Sequence, residues 1–140
     1  TSSNIASVQS DESTVTLVSS QRSSVMSNLR NMANAVKACF ELAGAEVIQN
    51  DGYPAWKMNA DSELQRIAIQ EYKKLFGHDP KVLGIHAGLE CGLFSEKYPG
   101  IDMISFGPTL RFVHTPDERL LIPTVQMVWD HMQAILREID

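Results

Sequence analysis

The second half of the chain alternates amphipathic segments with short apolar runs, and this alternation constrains the fold more than any other feature. Apolar residues recur at intervals of three and four over 64–75 and 123–139, which predicts a helix in each segment, the first capped by Asp61. The runs 82–85 and 103–106 are short and apolar, as is typical of buried strands. Because helices alternate with strands, we predict an α/β fold with a mainly parallel sheet.

The loops that leave the two predicted strands are the places where an α/β fold usually binds ligands. These loops begin at His86 and Gly107. The first loop is rich in glycine, and we expect a short helix to follow it, to about Tyr98. Residues near the two loops are therefore the first candidates for a site.

The first half of the chain has a different pattern. Residues 3–9 and 13–20 contain alternating and β-branched stretches with a polar, turn-forming stretch between them, which predicts a β-hairpin. The apolar period then changes to three and four, which predicts a helix. We expect Ser23 or Ser24 to cap this helix and Gly44 to end it in a left-handed turn.

A domain boundary is predicted at 50–54. The sequence Asn-Asp-Gly-Tyr-Pro at these positions is the strongest turn signal in the chain. A strand predicted just before it, over 45–48, completes a β-β-α-β first part. The sequence thus divides into 1–51 and 52–140.

Charge and composition exclude several classes of protein. Lys and Arg total 12 against 17 Asp and Glu, which gives a net charge of −5, and no basic run is present, so nucleic acid is not an expected partner. No apolar run approaches the ~18 residues of a membrane helix. Two cysteines, Cys39 and Cys91, suggest free thiols in a reducing cytoplasm. The chain starts without methionine, and we expect it to be a piece of a longer protein.

His114 is the strongest candidate for chemistry. Apolar residues at 112–113 lead to it, Pro116 restricts the residue before itself to an extended conformation, and two carboxylates follow at Asp117 and Glu118. A neutral imidazole beside carboxylates suits zinc, and an adjacent carboxylate can orient the other ring nitrogen. One histidine alone does not make a metal site, so these residues leave a non-metal role open.

Four more residues have both a functional and an ordinary interpretation. His86 ends a predicted strand and is either a ligand or a hydrogen-bonded histidine. Cys91 is either a nucleophile at a helix start or a small buried residue. Glu90 either stabilises that helix start or faces a cationic substrate group, and Arg22 is either an anion site or an ordinary exposed arginine. We interpret His131 on the last helix as a packing or surface residue.

Five segments taken in order resemble the C-terminal end of aminoacyl-histidine dipeptidases, which are also called Xaa-His dipeptidases or bacterial carnosinase-like enzymes. The segments are HAGLECGLF at 86–94, YPGIDMISFGPT at 98–109, HTPDE at 114–118, GYPAW at 52–56 and RSS at 22–24. Each segment alone is a weak signal, but the ordered combination is specific. The resemblance covers nearly the whole chain.

The resemblance implies a di-zinc peptidase with an α/β catalytic domain and an inserted lid through which the protein forms a homodimer. It implies that His114 binds one zinc, that Arg22 holds the terminal carboxylate of a dipeptide, and that Gly88 contacts the substrate through its backbone. Thr115 stands where the family more often has serine, a change that we expect to be harmless. The resemblance gives Glu90 no definite role, and we keep it as a substrate-binding candidate.

The family's remaining zinc ligands and its general-base glutamate lie upstream of the matching region, and no residue here matches them. The resemblance therefore implies that 1–51 is the last part of the lid and dimerisation domain and that 52–140 is the C-terminal part of the catalytic domain, with a hinge near 50–53. We expect the isolated chain to be inactive and to contain no catalytic residue, because one histidine cannot hold two zincs or activate water.

The sequence thus predicts part of a cytoplasmic zinc metallopeptidase that hydrolyses Xaa-His dipeptides by metal-activated water. Its predicted partners are the dipeptide and a second copy of itself, with no nucleic acid and no membrane. Two alternatives stay open: a non-catalytic binding or dimerisation module built on the first half, and a related aminoacylase or peptidase of the same superfamily. The exact substrate and the metal used in the cell are also open.

Overall fold

A computed structural model describes residues 1–50, 52–85 and 90–139 of the chain. It contains both helices and strands, which confirms the predicted α/β class. The elements in chain order are β1 (Ser2–Ser10), β2 (Val15–Arg22), α1 (Met26–Leu42), α2 (Glu63–Phe76), α3 (Glu90–Lys97), β3 (Leu110–Arg111), β4 (Arg119–Leu120) and α4 (Pro123–Glu138). Among the helices of these described residues, none combines the length and apolar character that crossing a membrane requires.

The chain divides into two compact units. The first comprises Thr1–Met58 and Leu83–Ile101, and the second comprises Asn59–Val82 and Asp102–Asp140. The domain boundary between 51 and 52 was inferred from a turn signal and a family resemblance, and it stays a prediction.

The first unit begins with the predicted β-hairpin. Strands β1 and β2 pair antiparallel from Ser2 opposite Arg22 to Ser10 opposite Val15, with one irregularity in register after Ile5. In the turn, the Asp11 carboxylate accepts hydrogen bonds from the backbone N–H groups of residues 13 and 14, at 2.9 and 2.8 Å. A backbone bond from the Asp11 N–H to the Thr14 carbonyl oxygen, at 3.0 Å, also closes the turn. These contacts confirm the predicted hairpin.

Helix α1 starts differently from the prediction. Its N-cap is Val25, which provides no side-chain hydrogen bond to the helix. The Ser23 hydroxyl instead accepts a hydrogen bond from the Val25 N–H at 3.1 Å and contacts the Thr1 hydroxyl at 2.8 Å. Ser23 therefore fixes the corner before the helix rather than capping the helix itself. Gly44 follows the helix with φ +83°, as predicted.

The segment after 51 lies against two helices of the first unit. The Ala55 N–H contacts the sulfur of Met26 on α1 at 3.1 Å. Gly92 of α3 is buried, and a Cβ there would lie 2.4 Å from the Pro54 carbonyl oxygen. Because so short a separation excludes any side chain, glycine is required for this packing.

The second unit is built on the pair of helices α2 and α4. The predicted cap of α2, Asp61, is wrong by one residue, because the Ser62 hydroxyl accepts the hydrogen bond from the Gln65 N–H, at 2.9 Å. The Asp102 carboxylate adds a second bond at this helix start, from the Leu64 N–H at 2.9 Å. Residue 102 is thereby tied to α2 across 38 positions of sequence.

The core between α2 and α4 confirms that His131 is a packing residue. It is 7 % exposed, and its Nε2 donates to the Ala68 carbonyl oxygen at 2.8 Å. Its ring lies 5.3 Å from the Tyr72 ring and 5.0 Å from the Phe106 ring, centroid to centroid. Ala68 and Ile135 are the buried apolar residues beside it. Its polar atom is thus satisfied inside an aromatic cluster.

Three predicted strands are not formed within the described residues. Segments 45–48, 82–85 and 103–106 have no strand structure. Within the described residues, the sheets are the antiparallel pairs β1–β2 and β3–β4. An extended segment becomes a strand only when a neighbouring segment pairs with its backbone N–H and C=O groups. The described part of this chain supplies no such neighbour, so the expected parallel pairing is absent from it.

Candidate functional site

His114 lies in the bend of a short hairpin in the second unit. Strands β3 and β4 pair Leu110 with Leu120 and Arg111 with Arg119, and residues 112–118 connect them. The base of this hairpin is fastened by two hydrogen bonds: the Thr109 N–H donates to the Thr124 hydroxyl, and the Leu121 N–H donates to the Thr109 carbonyl oxygen, each at 2.9 Å. Since Thr124 lies in the first turn of α4, the bend is anchored to the helical core.

The backbone of the bend is strained. Phe112 has φ +55° and His114 has φ +64°, both in the left-handed region. That conformation costs a residue other than glycine about 1–2 kcal/mol. Such outliers persist only when their surroundings hold them, and they cluster at functional sites. The conformation of His114 therefore supports the candidate that the sequence singled out.

Hydrogen bonds between residues close in sequence hold the bend. The Thr115 hydroxyl donates to the Phe112 carbonyl oxygen at 2.7 Å and accepts from the Asp117 N–H at 3.2 Å. The Glu118 N–H donates to the Thr115 carbonyl oxygen at 3.1 Å, which closes a turn with Pro116 in its second position, where proline is favoured. Pro116, from which the sequence predicts an extended residue 115, thus lies within a closed turn.

The contact made by Glu118 differs from the one considered from the sequence. There, either of the two neighbouring carboxylates could orient the second ring nitrogen of His114. The Glu118 carboxylate accepts the backbone N–H of His114, at 2.8 Å. A spacing of four residues is compatible with either contact, so the sequence identified the carboxylates but left open which atom each would contact.

The imidazole of His114 is accessible. All residues from 110 to 121 are exposed, His114 among them, and the ring is not buried in apolar packing. Within 1–50, 52–85 and 90–139, no three His, Cys, Asp or Glu side chains are grouped closely enough to hold a metal ion. An exposed imidazole suits zinc as one ligand. A metal site that included His114 would need further ligands from outside the described residues.

Arg22 is the last residue of β2 in the first unit, opposite Ser2 of β1. Its side chain is exposed, directly before the corner that Ser23 fixes. A guanidinium group at this position can donate two parallel hydrogen bonds to a carboxylate. The structure thus places Arg22 on a regular element with its side chain accessible to an anion.

The glycine-rich loop is only partly described. Gly88 and His86 lie outside the described residues. Glu90 is the first residue of α3 and is exposed. Burial raises the pKa of the neighbouring Cys91 thiol, and the charge of Glu90 raises it further, despite an opposing backbone hydrogen bond. Because a raised pKa keeps the thiol protonated at neutral pH, the structure does not support Cys91 as a nucleophile.

Known proteins of one peptidase family are similar to this chain. Residues 5–138 match the peptidase family M20/M25/M40. The chain is 35% identical over 139 residues to the cytosol non-specific dipeptidase of Escherichia coli (strain K12), which covers 99% of this chain and 29% of that protein. It also matches the crystal structure of the aminoacylhistidine dipeptidase from Vibrio alginolyticus, with a TM-score of 0.74 and 42% identity, over 99% of this chain and 28% of that one.

The chain spans less than a third of the length of either relative. The match to the family covers nearly all of it, including both Arg22 and the bend around His114. The chain therefore belongs to the peptidase family M20/M25/M40.

Proposed function

We propose that the protein to which this chain belongs is a zinc-dependent dipeptidase that hydrolyses Xaa-His dipeptides. Membership of the peptidase family and the two dipeptidase relatives support a peptidase activity. The observation that carries the proposal to particular residues is the exposed His114, which the bend holds in a strained conformation. A strained and accessible histidine fits a role in binding or catalysis better than a role in stability.

In this proposal His114 contributes one nitrogen ligand to a pair of zinc ions. The remaining ligands and the general-base glutamate come from other parts of the protein. A bound zinc pair polarises the scissile carbonyl and lowers the pKa of a water molecule. The bend fixes the backbone of His114 before the metal binds, so that less ordering is needed on binding.

Arg22 is proposed to hold the terminal carboxylate of the dipeptide. It is the exposed last residue of β2, and a regular strand positions a side chain more firmly than a free loop does. Holding the carboxylate end would orient the dipeptide in the site. Gly88 would contact the substrate through its backbone, and Glu90 remains a second candidate contact at the start of α3.

The proposed assembly is a homodimer that forms through the lid, 1–51. In support, the hairpin exposes the apolar side chains of Ile5, Val8, Val15 and Val18, each at least half exposed. Apolar side chains exposed along one hairpin are available for contact with a second copy. A cytoplasmic location is proposed from the relative named as a cytosol dipeptidase. The isolated chain is proposed to be inactive.

The names of the two relatives differ on substrate range, since one is called non-specific and the other aminoacylhistidine dipeptidase. The test therefore compares zinc-dependent cleavage of β-Ala-His, of dipeptides without histidine and of N-acyl amino acids by the intact protein. A preference for β-Ala-His supports the proposal. Faster turnover of N-acyl amino acids would favour an aminoacylase, and no zinc-dependent hydrolysis at all would favour a binding module.

The site assignments are tested with Arg22→Ala. Loss of a charged hydrogen-bonding partner is expected to lower kcat/KM for a dipeptide by about 10–100-fold. The same variant should leave cleavage of the corresponding dipeptide amide unchanged, because the amide lacks the carboxylate. Arg30→Ala, which changes an exposed arginine of α1, is the matched control. An equal loss on both substrates would contradict the role of Arg22.

A further inference from the structure

The carboxylate of Glu118 folds back onto the chain four residues before it. Its Oε2 accepts the backbone N–H of His114 at 2.8 Å. The neighbouring carboxylate behaves differently: within the described residues, the Asp117 side chain makes no hydrogen bond, and only its backbone N–H is used, by Thr115. Two adjacent acidic residues thus have distinct positions in the same bend.

The N–H group that donates to Glu118 belongs to His114, whose backbone is strained. With φ +64°, His114 occupies a region that side chains other than glycine rarely adopt. Its N–H lies beyond the β3–β4 pairing, which ends at Arg111 and Arg119. A hydrogen bond to a charged acceptor is shorter and stronger than one to a neutral acceptor. The Glu118 carboxylate is therefore well suited to stabilise the strained conformation.

The conformation of His114 decides where its imidazole points. The direction of the Cα–Cβ bond relative to the bend follows from φ, so a return of His114 to an ordinary conformation would turn the ring away from its present direction. Anchored through Thr109 and Thr124, the base of the hairpin cannot easily compensate for such a change.

We propose that Glu118 is a positioning residue for the dipeptidase reaction: its carboxylate holds the backbone of His114 in the left-handed conformation and so fixes the direction in which the imidazole is presented. This role rests on the proposed function of His114 as a metal ligand. In this role Glu118 acts on the backbone of His114 and not on its second ring nitrogen. The role accounts for the position of Glu118, four residues after His114.

The test uses the intact protein and three variants: Glu118→Ala, Glu118→Gln and Asp117→Ala. Zinc affinity is measured by competition with a chelator, and exchange of the His114 amide hydrogen is measured by mass spectrometry in the metal-free protein. Glu118→Ala should bind zinc about 10–100-fold more weakly, the usual effect of losing a group that orients a ligand. The amide of His114 should also exchange faster in this variant.

The other two variants separate a hydrogen bond from a general effect of charge. Gln keeps an acceptor oxygen at the same reach, so Glu118→Gln should restore most of the zinc affinity and of the amide protection. Asp117→Ala removes a neighbouring charge and should change neither. Equal weakening in Glu118→Gln and Glu118→Ala, or in Asp117→Ala, would overturn the proposal, as would unchanged zinc affinity in Glu118→Ala.

A His114→Ala arm separates this proposal from the function on which it rests. If His114→Ala binds zinc as tightly as the unmodified protein, the metal role of His114 fails, and the role of Glu118 fails with it. If His114→Ala weakens zinc binding and Glu118→Ala does not, only the role of Glu118 is overturned. If Glu118→Ala does not fold, loss of zinc affinity and of amide protection in Glu118→Gln would still overturn the proposal, because Gln keeps the acceptor oxygen.

Discussion

The two hairpins of this chain use the same chemical device for different ends. In the β1–β2 hairpin, the Asp11 carboxylate accepts two backbone N–H groups of the turn. In the β3–β4 hairpin, the Glu118 carboxylate accepts the backbone N–H of His114. Both are local bonds from a carboxylate to the main chain, and both close an exposed bend.

The hairpins differ in what surrounds that bond. Strands β1 and β2 pair over most of their length, from Ser2–Arg22 to Ser10–Val15, so the ladder itself maintains the register. Strands β3 and β4 pair at two positions only, and two residues between them, Phe112 and His114, have positive φ. The long β1–β2 pairing keeps its register largely without the turn. The conformation of the short β3–β4 hairpin depends on every side-chain hydrogen bond in its bend. The shape of the second bend therefore depends more on side-chain contacts than the shape of the first.

The sharpest way to test this contrast is His114→Gly. Glycine adopts positive φ without strain, so relief of strain should offset its larger unfolded-state entropy, and the unfolding free energy should change by less than about 1 kcal/mol. Activity, in contrast, should fall by about 10³-fold, equivalent to the several kcal/mol that a bound metal supplies. Thermal or denaturant unfolding and steady-state kinetics of the intact protein measure the two effects.

The matched control for this variant is His78→Gly, which removes an exposed histidine from the turn after α2. It should leave kcat/KM unchanged. A loss of activity in His114→Gly that is no larger than the loss in His78→Gly would mean that the strained bend presents nothing to the reaction.

A second way to weaken the short hairpin is Thr115→Ala. The Thr115 hydroxyl bonds both the Phe112 carbonyl oxygen and the Asp117 N–H, so its removal loosens both sides of the bend. We expect kcat/KM to fall by about 10-fold, which corresponds to one net hydrogen bond. Thr115→Ser keeps the hydroxyl and should retain activity. If serine and alanine were equally harmful, packing of the threonine methyl group would be the cause instead.

The regular part of the fold could be predicted because its signals are local. The β-branched alternation before residue 22 and the apolar spacing in α1, α2 and α4 depend only on neighbouring residues. The strands predicted at 45–48, 82–85 and 103–106 are absent from the structure, because local signals do not decide whether a strand forms. Their apolar character suits a strand, but pairing depends on a neighbouring segment that no local pattern reveals.

The candidate residues of the site come from the sequence, but the geometry of the bend could not be predicted from it. Histidine, proline and two carboxylates in one short segment identified the bend. Residue type does not reveal that His114 has positive φ, since histidine is compatible with ordinary conformations too. Nor does the spacing of Glu118 distinguish a bond to the ring from a bond to the backbone.

Dependence of the short hairpin on distant anchors can be tested at Asp102. Its carboxylate bonds the Leu64 N–H at the start of α2 and thereby fixes the segment that leads to the hairpin. Loss of a bond at a helix start costs about 1 kcal/mol, so Asp102→Ala should lower the unfolding free energy by that amount. Ser13→Ala, which leaves the backbone bonds of the first turn intact, should cost less. An unchanged unfolding midpoint in Asp102→Ala would contradict the anchoring role.

The pH dependence of the Asp102 contribution has a definite sign. Burial raises the pKa of its carboxyl, but hydrogen bonding to the charged carboxylate, from the Leu64 N–H above all, outweighs burial and lowers the pKa below its ordinary value. A carboxyl with a lowered pKa stabilises the folded state above its unfolded pKa, and this contribution is lost as the pH falls through the folded value. Asp102→Asn should therefore flatten the loss of stability between about pH 5 and the acid limit.

The smallest expected effect belongs to the turn of the long hairpin. Backbone hydrogen bonds from Ser13 and Thr14, with the Ser13 hydroxyl, lower the pKa of Asp11 below 3.8. The carboxylate thus stabilises the turn above pH 3.8, and the bond is lost only in strong acid. Because the β1–β2 ladder maintains the register, Asp11→Asn should reduce the protection of the two turn amides from hydrogen exchange and leave the strand amides protected. Loss of protection along both strands would mean that the long hairpin, like the short one, depends on side-chain hydrogen bonds in its bend.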